Sequence, residues 1–250
     1  TVHSPEQSRR LLELGYSNKT GGDSPINLDL RVYRQEMERQ IYAYANWLDR
    51  DIITNQVSFL TDGFDAKADW LIHPQHLLSF GLNTWQMRGN PDRWMAAAPG
   101  FTSMAANNPF QDAKIQAIGV YLQDDMRFGA LNLLAGVRYD VVSSEAASMN
   151  NGVRTSGLDN RDKALSGSLG VMYEISPWLR PYANYARAFR APGMRERYES
   201  GLRGDGYYYA GSPEVEAEKA DQFELGIKGA GQSTDYAISA YYHKIDNYIS

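Results

Sequence analysis

From residue 115 onward, apolar and polar side chains alternate along the chain with a period of two, the signature of a half-buried strand rather than a helix. In Leu131–Val141 one face carries Leu131, Leu133, Ala135, Val137 and Tyr139, and the other Asn132, Leu134, Gly136, Arg138 and Asp140. In Leu165–Tyr173, the apolar Leu165, Leu169, Val171 and Tyr173 oppose Ser166, Ser168, Gly170 and Met172. Further on, Phe223, Leu225 and Ile227 oppose Gln222, Glu224, Gly226 and Lys228. Tyr236, Ile238, Ala240 and Tyr242 alternate with Ala237, Ser239, Tyr241 and His243 in the same way. Strands are expected near 10–20, 26–44, 56–73, 76–88, 115–128, 131–147, 162–175, 178–190, 219–229 and 234–249. The stretch 32–52 also reads as an amphipathic helix through Val32, Ile41, Leu48 and Ile52, but the clean alternation in Ile26–Val32 favours a strand.

Connection lengths add a second regularity. Tight turns fall at 73–75, 128–130, 175–178 and 229–233, and long polar connections at 45–55, 89–114, 148–161 and 191–218. Short and long connections alternate, as they do when antiparallel strands run up and down between a side with tight turns and a side with large loops. A soluble sandwich would alternate too. Its strands are usually only about five or six residues long, however, and its inner faces could not hold Arg138, Asp140, Glu224 and Lys228 unpaired. The pattern predicts an all-β, antiparallel, up-and-down transmembrane β-barrel section of about ten strands. Leu131, Leu133, Val137, Leu169, Val171, Leu225, Ile227 and Ile238 are then expected to face lipid.

Composition narrows the function classes. Twenty-five basic against 30 acidic residues give a net charge of −5, with no basic cluster to track a phosphate backbone, so nucleic acid is not an expected partner. Cysteine is absent, which excludes disulfides, thiolate metal sites and cysteine nucleophiles. The longest uncharged run, Trp94–Gln111, is broken by Pro99, Gly100 and Pro109 and cannot span a bilayer as a helix. Seventeen tyrosines outnumber Phe and Trp together, as suits strands that cross a membrane between aromatic girdles. There is no nucleophile elbow, phosphate loop, dinucleotide fingerprint or His-Glu-x-x-His zinc motif, so no enzyme activity and no bound cofactor is expected.

The densest motif region is 182–228. Phe189-Arg190-Ala191-Pro192 closes a strand, and Ser212-Pro213-Glu214-Val215-Glu216-Ala217-Glu218 leads into a second strand carrying Glu224-Leu225-Gly226-Ile227-Lys228. In this order, and with 119–128 and 133–140 upstream, the chain resembles the TonB-dependent outer-membrane receptors. The second motif is looser than the family's, with Ser212 in place of Asn and Ala217 in place of the second Pro. The resemblance implies a barrel of about 22 strands, of which residues 1–250 would be a partial barrel domain without plug or remaining strands. It also implies a bacterial outer-membrane location, lipid as one partner, and TonB-energised import through a plug domain. The implied cargo is a scarce nutrient, foremost a ferric siderophore; a passive porin-like channel, or a haem or copper receptor of the same superfamily, stays open.

Two loops carry candidate ligand chemistry. Arg190, Arg195, Arg197 and Arg203 lie close to Tyr198, Tyr207, Tyr208 and Tyr209. Guanidinium forks suit carboxylate, catecholate or phosphate oxygens, and tyrosines stack on flat ligands. Glu196, Glu199 and Asp205 interleave with them, so an internal salt-bridge network accounts for the same residues. In the second loop, Trp85, Met87, Trp94, Met95, Phe101 and Met104 offer either a mini-core or an apolar platform. With Met149 and Met194 they could also form a soft-metal site for Cu(I). Of the four histidines, His3, His73, His76 and His243, none falls in 193–211, where haem receptors of this superfamily place one. His73 and His76 read as polar groups of a turn.

Overall fold

A computed structural model describes residues 2–45, 49–55, 59–97, 103–202, 207–231 and 233–249. Ten long strands form an antiparallel meander. They are β1 (Val2–Lys19), β2 (Ile26–Ala45), β4 (Phe59–His73), β5 (His76–Gly89), β9 (Ala113–Phe128), β10 (Leu131–Glu145), β12 (Asn160–Tyr173), β13 (Arg180–Arg190), β16 (Glu218–Ala230) and β17 (Asp235–Asp246). Each pairs with its neighbours in that order, from β1 at one edge to β17 at the other. Among the described residues no ladder joins β17 to β1, so the sheet is an open wall.

Three short strands extend this sheet where sequence patterning indicated only polar connections. These are β3 (Arg50–Asn55), β6 (Asp92–Ala97) and β7 (Met104–Ala106). The physical reason lies in β2, whose 20 residues reach roughly 65 Å at about 3.3 Å per residue, beyond the end of β4. Its lower half pairs with β4 as far as Met37↔Phe59, and its upper half, from Gln40, pairs with β3. The unpaired upper ladder recruits β3, then β6, then β7. The strand reading of 32–45 therefore holds, whereas 45–55 and 89–114 are not purely loop. The remaining elements are β8 (Phe110–Gln111) with β11 (Ser148–Met149), α1 (Met194–Tyr198), and the hairpin β14 (Ser200–Leu202) with β15 (Tyr208–Ala210).

Register aligns the two faces across the whole meander. One row runs Tyr16, Leu30, Ala66, Leu82, Val120, Tyr139, Leu165 from β1 to β12. Another runs Leu133, Val171, Ala183, Leu225, Ala240. All eight residues expected to face lipid lie on this one apolar face, and Leu165, Leu225 and Ile238 are each about two-thirds exposed (65%, 66% and 64%). Ionisable pairs bound the band: His76 with Asp124 (2.8 Å) near the tight turns, and Asp221 beside Arg187 and Lys244 at the other end. The opposite face is polar, and many of its side chains pair with one another. Arg31 donates to Asp65 (2.9 Å), Asn83 reaches the same carboxylate, Arg138 forks onto Asp140 (2.6 and 2.7 Å), and Tyr182 donates to Glu224 (2.9 Å). Tyr121 stands directly opposite Gly81 and Tyr182 opposite Gly226, and a Cβ on either glycine would collide with the ring. Small residues on the polar face thus let large ones lie flat against the sheet.

Candidate functional site

The buried apolar cluster of the described chain lies at the long-connection end. Phe110, Ala113, Ile115, Ala117, Val142, Met149, Leu158, Met194 and Tyr198 pack together, with Phe59, Trp85, Met87 and Phe189 against them. The described parts of connections 90–112, 146–159 and 191–217 thereby fold into a single cap over the strand ends. Main-chain bonds knit them: Asn150 N–H donates to Pro109 (3.1 Å) and Asn151 N–H to Asn108 (2.9 Å).

The arginines have distinct placements. Arg190, at the end of β13, forks onto Glu218 (2.7 and 3.0 Å) and reaches Glu196 (2.9 Å). These carboxylates push the Arg190 guanidinium further above its ordinary value, and Arg190 with the Ile249 N–H holds Glu218 down to about 2. Arg195, on α1, donates to Glu199 (2.6 Å) one helical turn on. Arg197 is buried at 2% exposure, donating to Asp162 (2.7 Å) and to the Pro213 carbonyl (2.6 Å). Tyr198 is fully buried and its hydroxyl donates to the Leu158 carbonyl (2.7 Å). Arg203 lies outside the described residues. The internal salt-bridge network anticipated for this loop is therefore built from Arg190, Arg195 and Arg197, with Arg197 and Tyr198 inside the cap rather than on its surface. Tyr207 and Tyr208 are exposed, and Tyr209 borders a cavity.

That cavity, about 620 Å³, opens between α1 and the upper polar face of β2, β4 and β5. Met37, Phe59, Met87, Met194 and Tyr209 give it apolar walls, with Arg195, Glu196 and Glu199 along one side. The proposed aromatic and thioether platform is divided by the fold. Trp85 and Met87 join the cap core, whereas Trp94 (β6) and Met104 (β7) sit on the extension of the sheet, and Phe101 is outside the described residues. Met95 accepts from the Asn107 amide (3.4 Å). Met149 and Met194 are core members at 5% and 3% exposure. Among the described residues no group of His, Asp or Glu is arranged to hold a metal ion.

Sequence patterning gave no sign of Arg93. It is 1% exposed, and its guanidinium donates to the Asn107 carbonyl (2.9 Å) and to the Ser200 carbonyl, with Glu199 4.0 Å away. Gly201, at φ +95°, makes the approach possible: a Cβ there would lie 2.6 Å from the guanidinium. A single arginine thus ties 90–112 to 191–217. Met37 and Phe59 were also missed, because they sit on strands of mixed pattern and reach the cavity only through cross-strand pairing. The Phe189–Pro192 and Glu224–Lys228 motifs form the strands that carry this apparatus. Ala191 and Pro192 lead into α1, Leu225 belongs to the apolar face, and Lys228 lies over the Tyr182 ring at 5.7 Å.

Comparison with known proteins extends this architecture. Residues 3–250 match the family model described as TonB dependent receptor-like, beta-barrel. The hemin receptor of Yersinia pestis is 32% identical over 127 residues, 49% of this chain and 16% of that protein. The hemoglobin-haptoglobin utilization protein B of Neisseria meningitidis serogroup C is 28% identical over 124 residues, 47% of this chain and 15% of that protein. The alignment therefore spans about a sixth of either relative. Among solved structures, the copper transporter OprC superposes with a TM-score of 0.73 at 15% identity, covering 97% of this chain and 39% of that one, a likeness of fold. The match over nearly the whole chain, with one apolar face, one polar face and a loop cap on a ten-stranded meander, places the protein in the TonB-dependent receptor β-barrel family of the bacterial outer membrane.

Proposed function

We propose that this chain is wall and cap of an outer-membrane receptor that captures a ferric siderophore and imports it with energy from the TonB system. The cap then lies outside the cell and the tight turns face the periplasm. The observation that carries this reading is the cavity of about 620 Å³ under the cap, on the polar face, with aromatic and thioether walls beside Arg195. An iron chelate presents apolar or aromatic ligand arms and peripheral oxygens, and such a site complements both. The wall supplies contacts and a conduit rather than catalysis. A second reading, haem uptake, is favoured by the names of the haem-utilising relatives, although residues 193–211 contain no histidine to ligate the iron.

Uptake by the full-length receptor in its host decides between them. Deleting its gene in an iron-starved strain should abolish growth on the cognate ferric siderophore as sole iron source, and so should deleting the energy-coupling protein. Growth lost only on haem selects the second reading. Uptake that survives loss of the energy-coupling protein selects a passive channel.

A further inference from the structure

Glu199 occupies an unusual position. Its side chain is 5% exposed and stands between two guanidiniums: Arg195, 40% exposed on the cavity side at 2.6 Å, and Arg93, 1% exposed on the clasp side at 4.0 Å. Its backbone is fixed at both ends, the N–H donating to the Arg195 carbonyl (3.1 Å) and the carbonyl accepting from Gly211 N–H (2.7 Å). Its carboxylate contacts Arg195 through one oxygen and approaches Arg93 with the other. Among the described residues lining the cavity Arg195 is the one cation, and it is held by Glu199, the residue that closes its own helix.

We propose that Arg195 is the anion receptor of this cavity and that Glu199 is its exchangeable counter-ion, moving onto Arg93 when an anionic group of the ligand takes its place. This rests on the cavity being the ligand site, and it names the ligand class: a chelate with a peripheral carboxylate or catecholate oxygen. The Arg195 end of the pair is 40% exposed, so a charge-assisted bond to ligand can replace Glu199 without leaving the guanidinium unpaired. The displaced carboxylate keeps a cationic partner, which a buried charge requires. Because Arg93 also bonds the Asn107 and Ser200 carbonyls, filling the cavity tightens the joint between 90–112 and 191–217. Recognition at one loop is thereby transmitted to another through a single carboxylate.

The test uses purified full-length receptor and two pairs of probes: a ferric tricatecholate against a neutral ferric trihydroxamate, and hemin against its dimethyl ester. Wild type should bind the anionic member of at least one pair about tenfold more tightly than its neutral counterpart, and Arg195→Ala should erase that preference. Glu199→Gln is the discriminating variant. Freed of its competitor, Arg195 should bind the anionic probe severalfold more tightly, and adding probe should no longer slow amide exchange in 93–97 and 107–108. A purely structural Glu199 predicts equal or weaker binding. Binding that ignores both substitutions, or that tightens in neither, overturns the exchange while leaving the cavity as the ligand site. If no probe binds wild type, the cavity reading itself falls, and the exchange with it.

Discussion

The wall and the cap of this protein are stabilised in opposite ways. In the wall, strands are held by long main-chain ladders, and side chains need only sort onto two faces, one apolar and the other polar with many cross-strand pairs. Its ion pairs, such as Arg31 with Asp65 and Arg138 with Asp140, join residues on the same strand or on neighbouring strands. The cap has little regular structure. It relies on a buried apolar cluster and on two arginines, Arg93 and Arg197, that satisfy loop carbonyls far away in the chain. A guanidinium has several donors in a fixed fork, so one buried arginine can replace the ladder that a loop lacks. Where the backbone does not pair with itself, side chains must do so for it.

The largest test of this contrast is Arg197→Met. Removing the donor strands Asp162 and the Pro213 carbonyl in a buried site, a loss of about 3–5 kcal/mol. Amide exchange should accelerate throughout 191–217 while β10 and β12 keep their protection, because local opening follows local contacts. Equal loosening of the wall would show that cap and wall form one cooperative unit.

A somewhat smaller effect is expected for Val137→Lys, on the apolar face. In the middle of a bilayer it should cost roughly 2–4 kcal/mol, measured by refolding the full-length receptor into vesicles. Ser168→Lys, on the polar face, is the control and should change little. Spin labels at Leu133, Leu169 and Leu225 should be accessible to oxygen and shielded from polar quenchers. The reverse pattern would exchange the two faces.

The smallest effect is one of pH. Glu218 is held down to about 2 by Arg190, so its folded pKa lies below its unfolded one. The stabilisation it contributes is complete above the ordinary glutamate range and fades as pH falls from about 4.5 toward 2. Proteolysis of the cap by an acid protease should accelerate across that window. In Glu218→Gln it should depend less on pH.

Much of the wall was legible because a strand's side-chain period is a property of local sequence. The alternation in Leu131–Val141 and Phe223–Ile227 fixes which residues share a face before any pairing is known, and Pro and Gly between them mark the turns. Family membership was legible for a similar reason: Phe189–Pro192 and Glu224–Lys228 are contiguous motifs. Ligand chemistry was legible only as residue type. Four arginines and four tyrosines in one loop look alike in sequence, but Arg197 and Tyr198 turn inward and Arg195 faces a cavity, because α1 presents successive residues to different sides.

By its own periodicity, then, the sequence determined an antiparallel wall with one apolar and one polar face, since neighbouring residues on a strand must point to opposite sides. Tertiary structure decided everything that depends on residues distant in the chain. It joined Arg93 to Ser200 and Glu199, brought Met37, Met87 and Met194 to one cavity, and recruited β3 and β6 to the free upper ladder of β2. Such contacts join positions tens of residues or more apart, and no local pattern encodes which carbonyl a buried guanidinium will find.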